Sequence, residues 1–185
     1  MNSLPVYVDT TAEFHSKLKN RHLHACPHCK RVGTLLRHGY LRGYCEEAEP
    51  DRHRGWRFYC SNRGRHTGCG RTVSVMLSKC LHRSIITTLT LWKFLSGCCH
   101  AASTRSAWEP LSGKFSLESA YRIFKCFQNC QTALRVKLCG LCPPPDCQSG
   151  HAHAQSIFHL KNAFDCSDPM AAFQQHFQQH FWPNS

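Results

Sequence analysis

Cys26-Pro27-His28-Cys29 places two thiols two residues apart, and Cys60 and Cys69 form a second pair across the polar, glycine-bearing insert SNRGRHTG. Zinc takes four tetrahedral sulfur or nitrogen ligands, and a short loop with two cysteines supplies half of that set at little further cost in loop closure. Cys26, Cys29, Cys60 and Cys69 are therefore expected to hold one zinc ion. His28, Cys45, His53 and His66 are substitute ligands, and a group of buried or reactive thiols is the alternative. A second set, Cys139, Cys142, Cys147 and His151, lies in CGLCPPPDCQSGHAH, residues 139–153. One small loop would have to wrap a metal there, and the triple proline equally suits a rigid linker, so the second zinc is the less favoured expectation.

The charge around the first pair points to a polyanion. From His15 to Arg83 the chain has 15 Lys+Arg against 4 Asp+Glu, a net +11, whereas the remaining residues have 8 against 7. A four-thiolate zinc site carries a net charge of about −2, which lowers the formal total from +12 to about +10 and leaves the basic block intact. Arg37, Arg42, Arg54, Arg57, Arg63, Arg65 and Arg71 alternate there with Tyr40, Tyr44, Trp56 and Tyr59. Phosphate contacts beside aromatic faces suit nucleic acid; a solvated basic face is the alternative.

These side chains need a frame. Trp56, Phe58 and Cys60 alternate with polar or amphipathic positions as in a strand that runs into the second cysteine pair. The arrangement is two cysteine turns joined by β-structure. It resembles the zinc ribbon at the start of many insertion-sequence transposases and their short accessory proteins: CxxC, then LLRHGYLRG, then an aromatic strand ending in cysteine, then CGRT. The resemblance spans Cys26 to Val75. It implies a small zinc-stapled β-sheet that helps place the protein on DNA, with Arg71-Thr72 in its closing strand. Two departures are the widened second cysteine spacing and the insert EEAEPDRH, residues 46–53.

After Ser84 the period changes. Ile85, Ile86, Leu89, Trp92 and Leu95 predict a helix over 84–96 ending near Gly97, and a short helix is expected over 101–109 before Pro110. Leu117, Ala120, Phe124, Phe127, Leu134 and Leu138 predict one amphipathic helix over 117–138 with Ser116 as cap. Three helices with a short middle one suit a helix-turn-helix as well as a plain bundle, and Arg122 and Lys125 are its candidate DNA contacts. In the tail, Phe173, Phe177 and Phe181 form one aromatic edge, to dock on the chain's own helices or on a transposase or second copy.

The expected fold class is therefore small α+β. An arm (1–20) leads to a zinc ribbon, a short antiparallel β-sheet (21–80), a three-helix domain (81–138), then a Pro/Cys linker and amphipathic helix (139–185). The start MNSLPVYVDT lacks a signal-peptide pattern, so its 14 cysteines are expected to be reduced and the location cytoplasmic. The apolar run Ile85–Leu95 is too short to span a bilayer, so no membrane partner is expected. Two-metal nuclease chemistry needs acids converging from a mixed α/β core, whereas Glu46, Glu47, Glu49 and Asp51 sit in one short loop. The composite expectation is a non-enzymatic, zinc-dependent protein binding duplex DNA, associated with an insertion sequence as a transposition accessory or transposase-derived regulator. A protein-interaction ribbon of transcription machinery and a single-strand or RNA binder are the alternatives.

Overall fold

Along residues 54–60, Trp56, Phe58 and Cys60 point to one face and Arg57 and Tyr59 to the other, as the two-residue repeat of extended chain requires. In the computed structural model, which describes residues 4–43, 53–111, 115–146 and 152–182, this segment is strand β3 (His53–Cys60). It pairs antiparallel with β2 (Leu35–Arg42) and with β4 (Thr72–Leu77). Strand β1 (Leu4–Val8) adds parallel to β4, giving the order β1-β4-β3-β2. Helix α1 (Thr11–Lys19) follows β1 and is capped by Thr10, whose hydroxyl accepts from the Glu13 amide at 3.1 Å. Residues 1–20, expected as an arm, thus include a strand of the sheet and a helix. The five-residue LPVYV is too short for its alternation to stand out in the sequence.

Among the described residues the protein is small α+β with one four-stranded sheet and six α-helices. It divides into two units, one made of residues up to Thr87 together with Gln174–His180, the other running from Thr88 to Phe173 with the residues after His180. In the first unit, one sheet face buries Val8, Leu35, Trp56, Phe58, Cys60, Val73, Val75 and Leu77 around Cys26, with Val6 and Leu18 packed against them. No helix among the described residues is long and apolar enough to cross a membrane.

The outer edge of β1 is closed by side chains rather than by another strand. The Tyr7 amide donates to Oε1 of Gln178 at 2.7 Å, and Nε2 of Gln178 donates back to the Tyr7 carbonyl at 3.1 Å. One carboxamide thereby substitutes for a neighbouring peptide and satisfies an edge that otherwise invites pairing with another chain. Gln174 Nε2 likewise donates to the carbonyls of Ser78 at 2.6 Å and Cys80 at 3.1 Å. Gln178 has φ 51°, a left-handed position where glycine is usual after a helix, but glycine has no carboxamide to offer β1.

Beside this clasp, Nδ1 of His180 lies 2.5 Å from the Tyr7 hydroxyl, and its ring stacks on His82 with centroids 4.0 Å apart. Burial, then the neighbouring His82 and Arg83, holds the His180 pKa down to about 4, so the ring is neutral beside the Tyr7 hydroxyl. His82 is lowered too, by burial and then by Arg83 and Arg54. The unfolded chain takes up these protons near the ordinary value of 6.5. Stability from the pair is therefore full above that value and is lost as pH falls towards about 4. The melting temperature of the zinc-loaded protein is expected to fall over this window, and less steeply in His180→Gln; the difference in slope separates the histidine from acid effects on the thiols.

In the second unit, helices α2 (Thr88–Gly97), α3 (Thr104–Trp108), α4 (Leu117–Leu138), α5 (Ala152–Ala163) and α6 (Pro169–Phe177) follow in order. The last helix contributes its end from Gln174 to the first unit. Helix α2 begins four residues later than the periodicity of residues 84–96 suggests. Residues 80–87 instead close a short bridge between Cys80 and Thr87, with Arg83 at φ 54°. The buried stripe of α2 is accordingly Leu91, Phe94 and Leu95, while Ile85 is 49% exposed. Helix α3 is shorter than the expected 101–109 because Ser103 caps it in a box with Ser106. Helix α4 has the expected bounds and buries Ala120, Phe127, Cys130, Leu134 and Leu138. Residues 139–185, expected as a Pro/Cys linker and one amphipathic helix, include α5 as a further helix. Phe173 and Phe181 are buried edge to face at 5.5 Å, whereas α6 ends at Phe177, so the three phenylalanines do not share one helix edge.

Candidate metal centre

The two cysteine turns are built by backbone hydrogen bonds that the local sequence permits. In the first, the Lys30 amide donates to the Cys26 carbonyl at 2.8 Å and the Cys26 amide to the Arg31 carbonyl at 2.9 Å; Lys30 takes φ 63°. In the second, Gly68 donates to the Ser61 carbonyl at 2.6 Å and Gly70 to the Cys60 carbonyl at 2.9 Å, while the Cys60 amide donates to Arg71 at 2.9 Å. The eight-residue insert thus loops out and returns Cys69 beside Cys60.

All four sulfurs of Cys26, Cys29, Cys60 and Cys69 lie within 4.8 Å of one another. Cys29 and Cys60 are 3.6 Å apart, and Cys26 and Cys69 are 3.9 Å apart. A tetrahedron with zinc–sulfur bonds of about 2.3 Å has edges of about 3.8 Å, so the observed separations fit one zinc ion with four thiolate ligands. Cys26 and Cys60 are buried, and Cys29 and Cys69 are partly exposed. This cluster could hold a metal ion.

The polar surroundings favour thiolate at one corner. Burial pushes the Cys26 thiol up to about 12. In Cys60 the same upward push of burial is outweighed by the Thr34 hydroxyl, the Cys69 amide and the neighbouring thiols, which draw it down to about 7. The Thr34 hydroxyl lies 3.1 Å from Cys60 Sγ, and the Cys69 amide donates to the same sulfur at 3.3 Å. Cys69 is raised, chiefly by burial. A dication in the centre favours the deprotonated form of every thiol that ligates it. Thr34 was not legible as a site residue, since its role depends on a contact made across 26 residues.

His28 is engaged elsewhere: its Nε2 lies 3.2 Å from the Thr72 carbonyl and ties the first turn to β4. His66 is outside the cluster. Cys45 and the side chain of His53 lie outside the described residues. So do Cys147 and His151 of the second set; Cys139 is exposed and Cys142 partly exposed.

Gly68 is required by space. A β-carbon there would sit 2.3 Å from the Ser61 carbonyl oxygen and 2.6 Å from Cys60 Sγ. Gly68→Ala is therefore expected to displace a ligand sulfur or the turn and to weaken metal binding by about tenfold or more, since misplacing one ligand costs at least as much as losing an outer-shell partner. Competition against a zinc chelator measures this, with Gly64→Ala as a comparison: its β-carbon would meet nothing within 4 Å, although φ 63° strains it.

In the first unit, Arg37, Arg42, Arg57, Arg63, Arg65 and Arg71 are exposed. Arg37 lies over the rings of Trp56 at 4.0 Å and Tyr40 at 4.8 Å, and Arg42 is 6.0 Å from Tyr40. Arg54 differs: it is 9% exposed and its guanidinium donates to the Leu81 carbonyl. That arginine supports the fold, and Gly43 leaves room for it, because a β-carbon at Gly43 would meet Arg54 Cδ at 2.7 Å. In the second unit, Arg122 and Lys125 are exposed on α4. Comparison with known proteins found no match to a family model, a curated protein or a solved structure.

Proposed function

We propose that the protein is a zinc-dependent nucleic-acid-binding protein whose first unit is a zinc ribbon gripping duplex DNA through its phosphates, acting by position rather than by catalysis. The convergence of four cysteine sulfurs at tetrahedral spacing inside a block of net charge +11 carries this reading. Five exposed arginines of that block, Arg37, Arg42, Arg63, Arg65 and Arg71, supply the phosphate contacts; Arg57 lies on the opposite sheet face from Trp56 and the buried Arg54 does not contribute.

The second unit supports a reading role. Helix α3 packs against α2 and α4, the order of a helix-turn-helix, and α4 exposes Arg122, Lys125, Gln128, Asn129 and Thr132 over consecutive turns. Side chains of these types bond base edges in a major groove. Together with the CxxC, LLRHGYLRG and CGRT segments, this favours a protein associated with an insertion sequence, as a transposition accessory or a regulator.

A competition assay on zinc-loaded protein tests the proposal. Labelled duplex from the ends flanking its own gene is set against scrambled duplex over a range of salt concentrations. Preference for the flanking duplex is expected, and absence of duplex binding even at low salt defeats the reading.

A further inference from the structure

The sheet face opposite the cysteine cluster is only half covered. Side chains that pair directly across antiparallel strands lie on the same face, and the register pairs Leu36 with Tyr59, Gly39 with Arg57, Tyr59 with Thr72 and Arg57 with Ser74. Towards β4 and β1 this face is closed: Ser74, Met76 and Tyr7 are buried, and Gln178 and His180 bond to Tyr7. Over β2 and β3 it is open, with Leu36 37% exposed, Arg57 and His38 exposed and Tyr59 half-buried.

The open half has a built shape. A register shift between Arg37 and Gly39 leaves His38 as an extra residue in β2, and its ring comes within 5.9 Å of Tyr59. The Tyr59 hydroxyl donates to Asn62 Oδ1 at 2.8 Å, which fixes the ring. Gly39 forms the floor beside Arg57, and a β-carbon there would meet nothing within 4 Å. Two aromatic rings, an aliphatic side chain and a guanidinium thus border a patch free of side chains, in a chain segment with a large positive excess.

We infer that this patch binds an unpaired nucleotide of a single strand, its base against Tyr59 and His38 and its phosphate at Arg57. Aromatic side chains stack on exposed base faces whatever the base, and arginine supplies the charge. A duplex keeps those faces in its own stack, so a base must be unpaired to reach the patch. The inference rests on the nucleic-acid reading of the first unit but not on its duplex part.

The test uses the full-length, zinc-loaded protein with labelled 15-nucleotide DNA of mixed sequence, RNA of the same sequence and the corresponding duplex. Tyr59→Ala is expected to weaken single-strand binding by about tenfold, within the usual range for one lost stacking contact, and to leave duplex affinity unchanged. Gly39→Leu, which fills the patch, is expected to act the same way, and Tyr59→Phe, which keeps the ring and loses only the bond to Asn62, to weaken binding less than Tyr59→Ala. Zinc content and circular dichroism confirm that each variant is folded, and the ratio of DNA to RNA affinity identifies the natural strand. Unchanged single-strand affinity in both Tyr59→Ala and Gly39→Leu overturns the inference, as does equal loss for single strand and duplex. Single-strand binding that depends on Tyr59, without any duplex binding, supports the inference while defeating the duplex reading.

Discussion

Stripping zinc, or replacing Cys60 with serine, is expected to unfold the first unit. Cys26 and Cys60 are both members of the buried cluster that contains Leu35, Trp56, Phe58, Val73 and Val75. Without a cation, four thiols within 4.8 Å of one another give that end of the core little to hold it together. Structural zinc contributes about 10–16 kcal/mol of apparent binding energy in small zinc-folded peptides, comparable with the entire stability of about 5–15 kcal/mol typical of a domain. Cys60→Ser also places a poorer zinc ligand at the sulfur that receives the Thr34 and Cys69 contacts. Amide exchange read along the chain should show β2, β3 and β4 losing protection on chelation while α4 keeps it. Protection of β3 unchanged by both chelation and Cys60→Ser would show that the cysteine cluster has no structural metal.

The second large effect is on salt dependence. If Arg37, Arg42, Arg63, Arg65 and Arg71 neutralise about five phosphates, the logarithm of duplex affinity falls with a slope of about −4.5 against the logarithm of salt concentration, or roughly five-hundredfold between 50 and 200 mM. Arg63→Ala with Arg65→Ala should reduce the slope by about 2 and weaken binding almost uniformly over sequences, as phosphate contacts do. These two residues occupy the insert between the cysteines and are exposed, so their loss leaves the ligand turns intact. Arg54→Ala serves as a contrast: it removes the donor to Leu81 from a buried position and is expected to lower stability rather than the slope. A slope near zero for the wild-type protein contradicts a phosphate grip.

Much of the cysteine cluster was legible because its information is local. Cys26 and Cys29 sit in one turn, and the strand alternation of Trp56, Phe58 and Cys60 already directs Cys60 to the side of the core. Helix α4 was equally legible, since 22 residues give several turns of the same stripe. What the sequence hid depends on partners far along the chain. β1 is five residues long and acquires its place by pairing with β4, some 70 residues away. Gln178 closes the edge of β1 at Tyr7, 171 residues away, and Gln174 holds the carbonyls of Ser78 and Cys80, more than 90 residues away. The start of α2 is hidden in the sequence because Ile85 and Ile86 fit both a helical stripe and extended chain, and the bridge from Cys80 to Thr87 decides between them. Arg54 looked like its neighbours in composition, and only its burial separates it from them.

The two parts of the functional proposal, a metal-held fold and a grip on DNA, meet in one comparison. Duplex affinity is measured at low salt for the zinc-loaded protein, for the same protein after chelation, and for the chelated sample after one equivalent of zinc is returned. Tight binding that is lost on chelation and regained at one equivalent is the predicted result. Duplex affinity that is the same with and without zinc, or absent in both, would contradict the proposal.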